Sequence, residues 1–417
     1  MIICRSVRSD AVRAVAAGAA LCALAATPQA AAVPSKVVVT EVKGGAAVAS
    51  VDVFPDGSAG VVATSKDKII VAKYKSNGHL NTDYGTDGIA TVPLPKTTRA
   101  AAAAIAVTSG GKVVVTGSTT GGDAVVARLT AGGRTDTTFN GTGYNVTDLG
   151  GSDAATGLAL GKAGEPYLLA NTKGDFAVVK YCSGQAPGCP AGTVDTRYGT
   201  SGITRIDFNK GTDASAAIAA RSNGRVVVIG TTQPAGKKQS AFAMAGLTPA
   251  GRLDTAFATD GKAVINDARA IRTGPAIALD STERILVSGT LDGRFALARY
   301  TPAGKVDTTF ADTGIARPSL KGTGTSVGVY NAEITTVGTT TADGKATALR
   351  YTAAGNPVTR YGNGGKAQAP LGGGTKDSIA GVVLDSAGRA ILAGTTNNKI
   401  AILRYTTTGT LDPNYGA

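Results

Sequence analysis

Short apolar runs separated by glycine-rich polar turns recur along this chain. One set is Ala103–Val107, Lys112–Thr116, Ala124–Leu129 and Tyr144–Asp148. Between its members lie Ser109-Gly-Gly111, Thr120-Gly-Gly122 and Ala131-Gly-Gly133. Runs of β-branched and small apolar residues bounded by glycine turns predict strands. The same four runs return at Ala216–Ala220, Arg225–Ile229, Ala241–Leu247 and Lys262–Ile265. Beyond residue 32 no stretch has a helical period. The first run of each set is built of small residues, as in Ala103, Ala104 and Ala106 or Ala216, Ala217 and Ala219. Such residues suit inner strands that converge on an axis.

Between the third and fourth runs stands a motif that sets the period. Its aromatic residue is Tyr84, Phe139, Tyr198, Phe257, Phe310, Tyr361 and Tyr415, at steps of 51 to 59 residues. Six residues earlier is always glycine: Gly78, Gly133, Gly192, Gly251, Gly304, Gly355 and Gly409. A glycine held at one place in every copy predicts a turn with positive φ. Three residues before the aromatic stands Asn81, Asp136, Asp195, Asp254, Asp307 or Asp412, with Val358 as the exception. These side chains bond their own backbone in turns. Seven copies of a four-strand unit, repeated radially, predict an all-β seven-bladed β-propeller with four antiparallel strands per blade.

The seventh copy, spanning 377–417, has three runs and no fourth. The lone run Lys36–Val42 precedes the first copy and is one strand too many. It is expected to pair into the last blade and close the ring, which removes an open edge. In the sixth copy the second strand, around Ile334–Val337, is expected to be weak.

Residues 1–32 read as a signal peptide. Arg5, Arg8 and Arg13 make a basic start, Ala14–Ala26 an apolar core, and Ala30-Ala-Ala32 a cleavage site, with cleavage expected after Ala32. Cys22 raises a lipoprotein alternative, but Ala19-Ala-Leu21 is a poor lipobox. No other run has the length and apolarity of a membrane helix. The expected mature protein is therefore one exported propeller of residues 33–417, periplasmic or extracellular, and a monomer.

The formal charge is +13, and residues 1–32 carry three Arg and one Asp, which leaves +11. A basic surplus favours anionic partners. No run of Lys/Arg interleaved with aromatics points to nucleic acid. His79 is the one histidine, so chemistry repeated on histidine is excluded, and any Ser-His-Asp or multi-His metal site would need His79 itself.

Leu253-Asp-Thr-Ala-Phe257 with Gly261, Val306-Asp-Thr-Thr-Phe310 with Gly314, and Phe295-Ala-Leu-Ala-Arg-Tyr300 resemble the delta-60 repeat family. The resemblance covers residues 47–417. It implies an exported bacterial β-propeller-like protein and supplies no catalytic residue to carry over.

Departures from the repeat are where chemistry is sought. Cys182 and Cys189 lie in an insertion of the third copy, and in an exported protein they read as a loop-closing disulfide. Asp153, Asp213 and Asp377 stand just ahead of inner strands; if gathered near the axis they are candidates for Ca²⁺, with turn capping as the structural alternative. No other cofactor is expected. Lys96, Arg99, Lys237, Lys238, Arg269 and Arg272 fall on loops of one end and are candidates for an anionic partner. The base near the end of each third strand (Lys73, Arg128, Lys180, Arg299, Arg350, Arg404, with Gly246 as exception) is expected to brace the motif Asp; a ring of bases for an anion is the functional alternative. Two functions are in view. One is a non-enzymatic scaffold that binds a protein or an acidic polysaccharide of the envelope. The other is an envelope lyase or hydrolase with its site at the mouth of the central channel.

Overall fold

The structure is a computed structural model, and it describes residues 36–95, 98–208, 210–233, 235–236, 240–267, 269–372 and 377–417. The expected signal peptide and its cleavage point therefore lie outside the described residues. Twenty-eight strands form seven four-stranded antiparallel sheets. Blade 1 holds β2 (Ala47–Val53), β3 (Ala59–Ser65), β4 (Lys68–Tyr74) and β5 (Ile89–Thr91). Blade 2 holds β6 (Ala100–Val107), β7 (Val113–Thr119), β8 (Ala124–Leu129) and β9 (Tyr144–Thr147). Blade 3 holds β10 (Ala154–Leu160), β11 (Pro166–Thr172), β12 (Asp175–Lys180) and β13 (Ile203–Ile206). Blade 4 holds β14 (Thr212–Ala220), β15 (Val226–Gln233), β16 (Ala241–Leu247) and β17 (Lys262–Ile265). Blade 5 holds β18 (Thr273–Leu279), β19 (Ile285–Leu291), β20 (Arg294–Tyr300) and β21 (Ile315–Ala316). Blade 6 holds β22 (Gly322–Tyr330), β23 (Glu333–Thr340), β24 (Ala346–Tyr351) and β25 (Lys366–Ala369). Blade 7 joins β26 (Ser378–Leu384), β27 (Ala390–Thr396) and β28 (Lys399–Tyr405) to β1 (Val37–Thr40). The sixth copy's second strand is not weak: all eight residues of β23 pair with β22, and Thr335, Thr336 and Thr340 are buried.

The first strands neighbour one another in a closed cycle, from β2 through β26 and back to β2. Second and third strands are buried on both faces because a blade stacks on a neighbour at either side, which is why they read as continuous apolar runs. The core is accordingly divided into seven clusters, one for each pair of adjacent blades. Each first strand carries a register shift. A bulge of this kind bends the strand and raises its twist.

The motif is the clasp between blades. All seven of its leading glycines have positive φ, from 75° to 89°. A Cβ there would run into the preceding blade: at Gly304 it would lie 2.6 Å from Cζ of Phe257, and at Gly133 3.0 Å from the Tyr84 ring. Backbone and packing both demand glycine. The residue after each aromatic donates its N–H to the carbonyl just before the next blade's motif glycine. The first is Gly85 to Gly132 at 2.9 Å, and the seventh, Gly416 to Asn77 at 2.7 Å, closes the circle.

Candidate functional site

The connections fall into two sets. First-to-second turns and the motifs lie at one end of the blades; second-to-third turns and fourth-to-first loops lie at the other. At the motif end the strand-3 bases are consumed internally. Arg128, Arg299 and Arg404 pair with Asp136, Asp307 and Asp412 at 2.7, 2.7 and 2.8 Å, and Lys180 reaches Asp195 at 3.4 Å. Each of those arginines also covers its own motif aromatic. The expected brace therefore holds in four blades. In blade 4, where Gly246 stands, Arg225 just ahead of β15 reaches Asp254 instead. In blades 1 and 6 the motif acid is missing, and Lys73 and Arg350 turn to Asp56 and Glu333. Buried and paired, these bases do not form an anion-binding ring.

At the loop end the predicted candidates have separate fates. Lys96, Lys237 and Lys238 lie outside the described residues. Arg99 is exposed and stands 3.5 Å from Asp67. Arg269 donates from both Nε and Nη2 to the single oxygen Oδ2 of Asp267. Arg272 donates to the Ser240 carbonyl at 2.5 Å and to Asn266 Oδ1 at 3.2 Å.

Asp153, Asp213 and Asp377 are not brought together. Asp153 instead joins Asp123 and Asp148 at the junction of blades 2 and 3, and Asp213 joins Asp175 and Asp207 at the junction of blades 3 and 4. Within each trio one oxygen per carboxylate lies within 4.8 Å of the other two. Asp153 and Asp213 are the buried members, and each accepts one backbone N–H with Oδ2: from Leu149 at 2.6 Å and from Phe208 at 2.7 Å. Burial raises the Asp213 carboxyl above the usual range against the Thr232 hydroxyl and the Phe208 N–H, and the charges of Asp207 and Asp175 add to the rise. Asp175 is raised for the same reasons, partly offset by Arg205. Asp377 joins no such trio among the described residues. Asp123, Asp148, Asp175 and Asp207 were not singled out from the sequence. Their signal is there: aspartate stands at the opening of the third strand, just after the fourth and at the head of the next first strand in copies 2 and 3 together.

Cys182 and Cys189 form the expected disulfide, with Cα atoms 5.4 Å apart. Their loop does more than close on itself. Ser183, Gly184 and Gln185 wall a cleft of about 720 Å³ whose other sides are Lys112 of blade 2 and Lys162 of blade 3. A groove of about 540 Å³ lies beside the two-residue β21, flanked by Arg317, Lys321 and Lys366.

At the loop end Ala47, Ala101, Ala154, Ala214, Gly274, Thr323 and Ser378 are exposed within the first three residues of the inner strands. None of these seven carries a carboxylate or a base, and Asp213, the second residue of β14, is buried. Asp52 is an acid of an inner strand with a raised carboxyl. It spends one oxygen on the Val53 N–H and the other on the Val107 N–H, which ties blade 1 to blade 2.

Residues 109–139 and 283–310 match the family described as "Domain of unknown function (DUF5122) beta-propeller". The two stretches end on the motif aromatics Phe139 and Phe310. No curated protein matches the chain in sequence. Three solved structures illustrate the likeness in fold. A catalytically inactive virginiamycin B lyase from Staphylococcus aureus with quinupristin is 13% identical, at a TM-score of 0.54, over 88% of this chain and 98% of that one. The BP39L lectin from Burkholderia pseudomallei is 13% identical, at 0.53, over 89% and 98%. The Dos1 propeller is 10% identical, at 0.51, over 91% and 96%. Identities this low speak to fold alone.

Proposed function

We propose that this chain is a non-enzymatic binding scaffold of the delta-60 kind, exported and monomeric, that holds an anionic partner on the loop end of the propeller. The partner is an acidic polysaccharide or an acidic protein surface of the envelope. The observation that carries the non-enzymatic reading is the ring of small neutral residues at the start of the inner strands. A lyase or hydrolase at that mouth would need a base or acid there. The acids at the heads of β10 and β14, Asp153 and Asp213, are buried and held by the Leu149 and Phe208 N–H groups, and Asp52 lies near the far end of β2 with both oxygens used. Fold likeness extends to a lectin and to a lyase alike and does not choose between them. The sign of the partner comes from the basic surplus and from Arg99, Arg269 and Arg272 on one end. The Cys182–Cys189 disulfide suits an oxidising compartment. Among the described residues no helix is long and apolar enough to cross a membrane.

Dextran sulfate against neutral dextran tests the reading, since the two differ in charge on the same backbone. Binding is expected for the sulfated polymer only, weakening as salt rises. Changing Lys237, Lys238, Arg269 and Arg272 to Ser is expected to weaken it about tenfold or more, roughly 1.4 kcal/mol. Equal binding of both polymers, or an unchanged affinity in the variant, contradicts the assignment.

A further inference from the structure

We infer that the junctions of blades 2 and 3 and of blades 3 and 4 each bind a divalent cation of the Ca²⁺ type. The ligands are Asp123, Asp148 and Asp153 in one, and Asp175, Asp207 and Asp213 in the other. The inference stands apart from the anionic partner and does not need it.

Three observations support it. The first is spacing. Ca²⁺ binds oxygens at about 2.3–2.6 Å, so two ligands on opposite sides of the ion are about 5 Å apart. The carboxylate oxygens of each trio lie within 4.8 Å of one another, inside that limit.

The second is an unmet need in the buried member. Asp153 is 2% exposed and Asp213 3%. Their Oδ2 atoms take backbone N–H groups, while Oδ1 of each is buried with no hydrogen-bond partner; the Thr232 hydroxyl beside Asp213 donates to the Phe208 carbonyl at 3.1 Å. A buried carboxylate oxygen without a donor is costly and calls for a ligand. Turn capping, the structural alternative for these residues, accounts for Oδ2 and leaves Oδ1 unexplained.

The third is the charge around them. Among the described residues none of the six carboxylates forms an ion pair, in a chain with a net charge of +13. Nearby bases have other occupations. Arg205 donates to the Leu149 carbonyl at 2.5 Å, and Lys262 to the Asp207 carbonyl at 3.0 Å. The Lys173 chain packs on Gly150 and Gly151. Elsewhere around the ring the position of Asp123 and Asp175, at the opening of the third strand, is Lys68, Arg294, Lys345 or Lys399, with Ala241 in blade 4. Asp377 stands just before its inner strand as Asp153 does, and Asp213 is the second residue of β14, yet the Asp377 junction has Lys345 where theirs have an aspartate. The trios are thus a property of two junctions and not of the fold. Asp148 and Asp207 are their exposed members and leave a way in from solvent.

The test is calorimetric titration of the chelator-treated full chain with CaCl₂, with melting temperature followed in parallel. Two sites are expected, with dissociation constants of about 0.1–1 mM as in extracellular modules, and a rise in melting temperature of several degrees at saturation. Asp148→Asn and Asp207→Asn should each remove one site, and the double variant both. Both positions are exposed, so the variants should fold. Without Ca²⁺ they should melt no lower than the native chain, since repulsion is relieved. Absence of heat and of any thermal shift at about ten times those concentrations overturns the inference. So does full binding by the double variant.

Discussion

Asp52 shows how one side chain ties stability to pH. Burial pushes its carboxyl up to about 6, against the lowering effect of the Val107 and Val53 N–H groups. Its native pKa thus lies above the unfolded value of 3.8. The protonated form is the one the fold prefers. The stability this contributes is fully present below pH 3.8 and is lost as pH rises through about 6. Asp136 works in the opposite sense. Burial opposes it, but hydrogen bonds from Lys112 and Thr138 and the charge and hydrogen bond of Arg128 hold it at about 2. Its contribution is present above 3.8 and is lost toward pH 2. The two windows do not overlap. Melting temperature should therefore fall between pH 5 and pH 7.5. Asp175 and Asp213 push the same way, so the readout is the difference between the native chain and Asp52→Ala, measured without divalent cations. A variant with an undiminished slope would show that Asp52 does not titrate there.

At the scale of one element, β1 is short but placed where it counts. All four of its residues pair with β28, from Val37 opposite Leu403 to Thr40 opposite Ile400. Tyr74 donates its hydroxyl to Thr40 Oγ1 at 2.7 Å, and Lys399 pairs with Glu41 just beyond the strand. Val37 belongs to the core between blades 6 and 7, and Val38 packs into that between blades 7 and 1. Deleting residues 33–43 leaves β28 as a bare edge and two cores open. A loss of several kcal/mol is expected, on the order of two buried valines plus the strand pairing. Differential scanning calorimetry reads it directly, and an unchanged melting temperature would remove the closing role from this strand. The first strands teach a different lesson. Their bulges were not foreseen, because one extra residue leaves the apolar pattern of Ala and Gly unchanged. They are visible only in pairing, as where Ser215 and Ala217 face Gly230 and Ile229.

For the molecule as a whole, the closed circle decides how it comes apart. Every blade has a neighbour on both sides, and seven hydrogen bonds run from motif to motif with no free end. An open array of repeats frays from its termini, each repeat held on one side only there. In this ring the C-terminal residues are themselves a link. Tyr415 is buried against Gly78, and Gly416 donates to Asn77. Removing residues 413–417 should lower the melting temperature of the entire protein as one shifted transition. Coincident loss of far-ultraviolet and tyrosine near-ultraviolet dichroism is the check. A second, earlier transition confined to part of the signal would mean that blades 7 and 1 unfold alone.

Blade number, strand order and the place of Val37–Thr40 follow from reading the chain end to end. The information is local and repeated: a positive φ at Gly304 or Gly409 admits glycine far more readily than other residues, and an aromatic such as Phe310 marks the same turn each time. Seven copies let the rule be separated from chance. Pairing of charges does not follow in this way. Arg128 and Asp136 are close in sequence and their brace was legible. Asp123 comes from the turn before β8 and Asp148 and Asp153 from the loop between β9 and β10, and a strand register had to bring them together. The same holds for the cleft behind Cys182–Cys189, whose walls belong to different copies. A repeat fixes what each copy does to its own backbone. Contacts between unlike loops depend on how far each loop reaches across the junction, and that distance is set by folding in three dimensions.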